Sequence, residues 1–300
     1  MTRFLKILLP AAVVLASVAA AEPMKVASLN PIVSDLARQV GGEDVEVIDL
    51  MPIGSDPHRF YPSPKDLKKA SGAVLVLAAG KGLETYLEKF RESLGGKVPI
   101  FEVGDAVPSL KVDTSAVFVC CPAHHHALDP HWWHSVNNAK RAASAIGKRF
   151  ASIDPEHAEN YRQRDKEYRK ELDGLRDWIR KEISRIPQPD RELTTAHAAF
   201  GYLCREYGLR SITVQGLTTE QTPDPGFLKT VVKTLKEHDV KAVFPEKNAN
   251  PKVLASMVRE TGVSIGGSLY AGFPPKDEPT YEAMMRHNIR TIVAGLRRKP

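Results

Sequence analysis

The sequence predicts an α/β fold of two lobes, each a mostly parallel sheet flanked by helices, bridged by one long rigid helix. Three observations carry this. Short apolar runs alternate with helix-period segments in both halves of the chain. One of those runs, AVLVLA, is almost uniformly apolar, as a strand buried on both faces must be. Between the halves, a helical pattern runs from Asp154-Pro155 to Pro187 with Gly174 as its only break, roughly 45 Å at 1.5 Å per residue.

Taken in order, MKVASL reads as the first strand, and Asn30-Pro31 as the cap and first residue of a helix that stops at Gly41-Gly42. VEVIDLM is a second strand, opening into the proline-punctuated loop GSDPHRFYPSP. AVLVLA and VPIFEV are the third and fourth. After the long helix, ELTTA restarts the pattern, followed by the HAAFGYLCREYGL helix, SITVQ, the FLKTVVKTLKEH helix, KAVFPE, the PKVLASMVRETG helix, VSIGGSLY and a closing helix over 280–296. The expected division is a leader over 1–21, a first, metal-binding lobe over 22–150, the linking helix over 151–187 and a second lobe over 188–300.

The first twenty-one residues have the anatomy of a secretory signal: Arg3 and Lys6, an apolar stretch containing Pro10, then Ala19-Ala20-Ala21. The expected mature chain is exported to the periplasm and cleaved near Ala21. No Cys stands at the cleavage point, so no lipid anchor is expected. About 280 residues remain, and losing Arg3 and Lys6 takes the formal charge from +6 to +4 (6 − 2). The bases are interleaved with acids, too diffuse for nucleic acid. The densest charged stretch, YRQRDKEYRKELDGLRDWIRKEISR, reads as a solvated helix face.

Three histidines are the chemical signal. His58, His131 and His197 lie some seventy residues apart, each in a loop-like context at the carboxyl end of a predicted strand, where open sheets take up ligands. Two follow the same dipeptide, in SDPHRF and ALDPHWW. Ligands so far apart meet only when the whole fold brings them together, in the cleft between the lobes. Neutral imidazole nitrogens suit Zn²⁺ at about 2.0 to 2.1 Å and leave a fourth position for water or a carboxylate, whereas Mn²⁺ prefers more oxygen. Trp132 and Trp133 are placed to exclude solvent beside His131. His134 reads as a hydrogen-bonding neighbour or an alternative ligand, and His157, His238 and His287 as structural or solvent-facing. Cys120, Cys121 and Cys204 form no CxxC pattern and read as structural or incidental, with thiolate help in metal capture from Cys120 and Cys121 as the minority reading.

SDPHRFYPSPKDL, HHHALDPHWWHSVNNAKRAA, DPEHAENY, TAHAAFGYLCREYGL, VFPEKNANPKVLASMVRETG and TYEAMMRHNIRTIVAGL together resemble the periplasmic metal-binding proteins of zinc and manganese ABC importers over nearly all of the mature chain. The resemblance implies one metal held between two lobes by His58, His131 and His197, and its delivery to a membrane permease by a monomeric receptor that is not an enzyme. Manganese-preferring members often carry a carboxylate where this chain has His197, so the expected cargo is Zn²⁺, with a manganese receptor as the alternative. For the fourth ligand, relatives have an acid near Pro279 or beside the first histidine, where this chain has Pro57. Asp277, Glu278 or a water is the expected substitute, and Glu246 is expected to act behind a ligand or structurally. The run His124-His125-His126 stands where zinc-type relatives carry longer histidine-rich insertions, as an entry site or a plain solvated loop. A secreted zinc hydrolase is the enzymatic alternative, but no HExxH or GxSxG occurs.

Overall fold

The computed structural model describes residues 22–112, 128–214, 216–217, 219, 225–247 and 252–297. The leader, Cys120, Cys121, His124, His125 and His126 lie outside these.

The first lobe runs β1 (Met24–Ser28), α1 (Pro31–Gly41), β2 (Val45–Asp49), α2 (Pro64–Ser71), β3 (Leu75–Ala78), α3 (Leu87–Ser93), β4 (Ile100–Glu102) and α4 (Val136–Ile153). All its strand pairs are parallel, in the order β2-β1-β3-β4. Past α5 (Ala158–Ile183) come β5 (Glu192–Thr195), α6 (Gly201–Tyr207), β6 (Arg210–Thr213), α7 (Pro225–Glu237), β7 (Ala242–Phe244), α8 (Lys252–Thr261), β8 (Ser264–Ile265) and α9 (Tyr281–Leu296). The second sheet, β6-β5-β7-β8, is also parallel and repeats the strand order of the first. In each sheet the chain reverses its direction of travel beside the first strand, which creates a crevice at the carboxyl ends of β1/β3 and of β5/β7.

Local sequence sets the element ends. Asn30 caps α1 by accepting from the Ile32 and Val33 amides, with Pro31 in the first turn, and Gly42 ends the helix at φ +55°. Ser63 and Asp66 form a reciprocal capping box at α2, just beyond the His58 loop. α5 is shorter than the sequence suggests, because Asp154 ends α4 and then accepts from His157 Nδ1 and Tyr161 Oη rather than starting the helix itself. Its 26 residues span about 39 Å. VSIGGSLY yields only the two-residue β8 and an isolated bridge between Glu246 and Leu269, since its paired glycines give a strand nothing to pack.

α5 turns a buried stripe, Tyr161, Tyr168, Leu172, Leu175, Ile179 and Ile183, toward α4, α1 and α9. At the edge of that stripe, Trp178 is partly buried against the same core and lies under the guanidinium groups of Arg286 and Arg290 of α9. The largest core cluster includes residues of both sheets and of α1, α4, α5 and α9, so the lobes share one continuous apolar interior. Separate clusters back the outer face of each sheet.

Candidate metal centre

His58, His131 and His197 converge on one cavity. His58 Nε2 lies 3.0 Å from His131 Nε2, and His197 Nε2 lies 3.3 Å from the same atom. One ligand atom from each histidine lies within 4.8 Å of those of the other two. Tetrahedral coordination at about 2.0 to 2.1 Å places its donors about 3.3 to 3.4 Å apart, so the rings already stand near the spacing a metal needs. The cavity is lined by these rings together with Asp56, Glu246, Lys247 and the Ala271–Phe273 segment, and offers about 20 Å³ to the centre of a water-sized sphere, room for a single water or ion.

Each imidazole is aimed by a carboxylate or a turn. The repeated Asp-Pro-His sequence folds the same way twice: Asp56 Oδ1 accepts from the His58 amide at 3.0 Å, and Asp129 Oδ1 accepts from the His131 amide at 2.8 Å. Such an aspartate turn fixes the backbone two residues on. Asp129 Oδ1 also accepts from His131 Nδ1 at 2.9 Å, which leaves Nε2 with its lone pair toward the cavity. In the second lobe, β5 and β7 pair with Thr195 opposite Phe244, and two residues beyond each stand His197 and Glu246. Glu246 accepts from the His197 amide at 2.9 Å and from His197 Nδ1. His197 precedes α6 by a short loop rather than opening that helix, because the chain first bends over residues 196–198.

Electrostatics separate the three rings. Burial, reinforced by charge repulsion from His197, holds His58 at about 3, and burial drives His131 well below the ordinary imidazole range. Both are neutral at working pH and ready to coordinate. Burial also pushes His197 down, but the facing Glu246 carboxylate outweighs it and raises the net value. Burial lifts Asp129 to about 7.

The neighbouring expectations divide. Trp132 and Trp133 are fully buried, and their indole N–H groups donate to the carbonyls of Ala79 and Ala271. His134 is not in the cluster, because its Nε2 donates to the Ala271 carbonyl at 3.0 Å. Glu246 sits behind His197. Asp277 and Glu278 are exposed and do not line the cavity, so they are not placed as fourth donors; the carboxylates that do line it are Asp56 and Glu246. His157 bonds Asp154, His238 bonds Glu192, and His287 Nε2 donates to the Ser268 carbonyl. Cys204 is buried, and burial raises its thiol to about 12, far from a thiolate. Sequence reasoning missed Asp56 and Asp129, although the repeated Asp before Pro-His was their signal.

A family model described as ZnuA, the periplasmic component A of a zinc-uptake complex, matches residues 26–295. The manganese-binding lipoprotein MntA of Bacillus subtilis is 35% identical over 285 residues, covering 92% of this chain and 90% of the relative. The iron-binding protein YfeA of Yersinia pestis is 30% identical over 278 residues, covering 92% and 87%. Among solved structures, the periplasmic zinc-binding protein TroA of Treponema pallidum superposes with a TM-score of 0.83 at 26% identity, covering 93% of this chain and all of that one. Two parallel α/β lobes with this likeness define a metal-binding receptor of ABC importers, a class that carries its ion to a permease and catalyses no reaction. The chain belongs to the ZnuA family within that class.

Proposed function

We propose that this chain is an extracytoplasmic zinc receptor in which His58, His131 and His197 grip the ion together. The observation that carries the reading is the approach of three Nε2 atoms around a cavity of single-ion size. Zinc is favoured over manganese because the described donors closest to one another are nitrogens, and because residues 271–273 bring no charged side chain to the opposite wall. A water, or Asp56 released from its turn, completes the sphere. Glu246 and Asp129 hold the His197 and His131 tautomers and balance the incoming charge.

The same reading takes residues 1–21 as a cleaved export signal, 22–150 and 188–300 as the two lobes, 151–187 as the link between them, and a monomer as the working form. Among the described residues no helix is long and apolar enough to cross a membrane. The second reading, a manganese receptor, draws on the relative named for manganese and on the two carboxylates that line the cavity. Competitive titration of the metal-free protein with Zn²⁺ and Mn²⁺, beside His197→Glu, tests the choice. Zinc preference in the wild type, narrowed by His197→Glu, is expected; a wild type that takes Mn²⁺ first overturns it.

A further inference from the structure

The wall facing the histidines is held by the other lobe. Ala271 offers one carbonyl to two buried donors from the His131 segment, Trp133 Nε1 at 2.8 Å and His134 Nε2 at 3.0 Å. The same segment is anchored once more, because Tyr281 Oη donates to the Trp133 carbonyl at 2.7 Å while the Tyr281 amide donates to Asp35 of α1 at 2.7 Å. The residue after Ala271 is Gly272, packed so closely on the His58 loop that an added Cβ would stand 2.6 Å from Pro57 Cγ. Ala271, Gly272 and Pro57 all line the cavity. The clamped Ala271 carbonyl thus stands one residue from the close Gly272–Pro57 contact on that side of the site.

His134 commits fully to this contact. It is completely buried against Phe200, at 4.4 Å between ring centroids, and its Nδ1 has no hydrogen-bond partner among the described residues. A buried polar atom without a partner is destabilising, a cost that leucine in its place would avoid. Packing alone therefore does not account for the imidazole, whereas its donor to Ala271 does.

Resting on the zinc reading above, we infer that His134 is a specificity-positioning residue: through Ala271 it keeps the wall at Gly272 shut and so limits how many oxygen donors reach the ion. A shut wall leaves three imidazoles and one small donor, the four-coordinate arrangement Zn²⁺ accepts; Mn²⁺ needs further oxygens, for which the wall must retreat.

The test compares His134→Leu, which cannot donate, with His134→Gln, which can, in full-length mature protein. Zn²⁺ and Mn²⁺ affinities are measured by competition against a fluorescent chelator, and folding by thermal melting. The Zn²⁺ to Mn²⁺ affinity ratio is expected to fall about tenfold or more in His134→Leu and to stay within about threefold of wild type in His134→Gln. An unchanged ratio in His134→Leu, whether both affinities drop together or neither moves, overturns the inference. Should His134→Leu fail to fold, Trp133→Phe removes the other donor to the same carbonyl and must shift the ratio in the same direction. A wild type that prefers Mn²⁺ refutes the zinc reading alone, since the change in ratio on substitution still decides the role of His134.

Discussion

Replacing Glu246 by Gln tests whether the carboxylate behind His197 governs metal capture. Glu246 is buried and accepts from both the amide and Nδ1 of His197, so Nδ1 carries the proton and Nε2 points its lone pair at the cavity. A glutamine can keep the amide contact through its oxygen, but it then turns an NH₂ donor toward Nδ1. The ring must either lose that bond or move its proton to Nε2, where it blocks coordination. Loss of such a partner behind a ligand costs about 10- to 100-fold in metal affinity, about 1.4 to 2.7 kcal/mol. The pH dependence gives the reasoning a sign. Glu246 raises His197, so in the wild type a proton competes with the metal for Nε2 as pH falls. Without the carboxylate that competition weakens, and the deficit of Glu246→Gln should be larger at pH 8 than at pH 6. Chelator-competition titrations at both pH values read it; equal affinity for variant and wild type at both, or a deficit that grows toward acid, refutes the account.

Metal-free protein should lose stability between pH 6.5 and pH 5. Burial depresses His134 to about 3, so the unfolded chain binds the extra proton, and this one group removes about 2 kcal/mol by pH 5; urea unfolding should show a shallower slope over that window in His134→Leu. Tyr281→Phe deletes the donor to the buried Trp133 carbonyl and is expected to destabilise by about 1 to 3 kcal/mol in the same assay, a value near zero being the adverse result. Solution scattering of metal-free and loaded protein should give matching radii, because α5 and a continuous core tie the lobes together; a marked contraction on loading would contradict this.

Much of this arrangement was legible from residue types. The αβ alternation gave both parallel sheets because buried strands need apolar runs and helices need their own period. The histidines stand out by their spacing, and two of them, His58 and His131, by a shared Asp-Pro-His context; fold geometry brings all three together. What escaped was partnership across space. Nothing local to Glu246 says that β5 and β7 pair in a register that sets it opposite His197. Asp277 and Glu278 were attractive as acids near the last helix, yet the chain between Phe273 and Thr280 carries them out to solvent. Asp154 read as a helix start because Asp-Pro commonly is one, but α4 reached it first.

The imidazoles wait at almost the separation a bound ion would impose, those of His131 and His197 steadied from behind by Asp129 and Glu246. A receptor shaped this way gives up little freedom on capture, so loading should be quick and escape the slow event. Handing over the cargo then becomes work for whatever docks at the mouth, which must pry one ring loose. His58, the least enclosed of the three and carried on a loop of the first lobe, offers the easiest purchase.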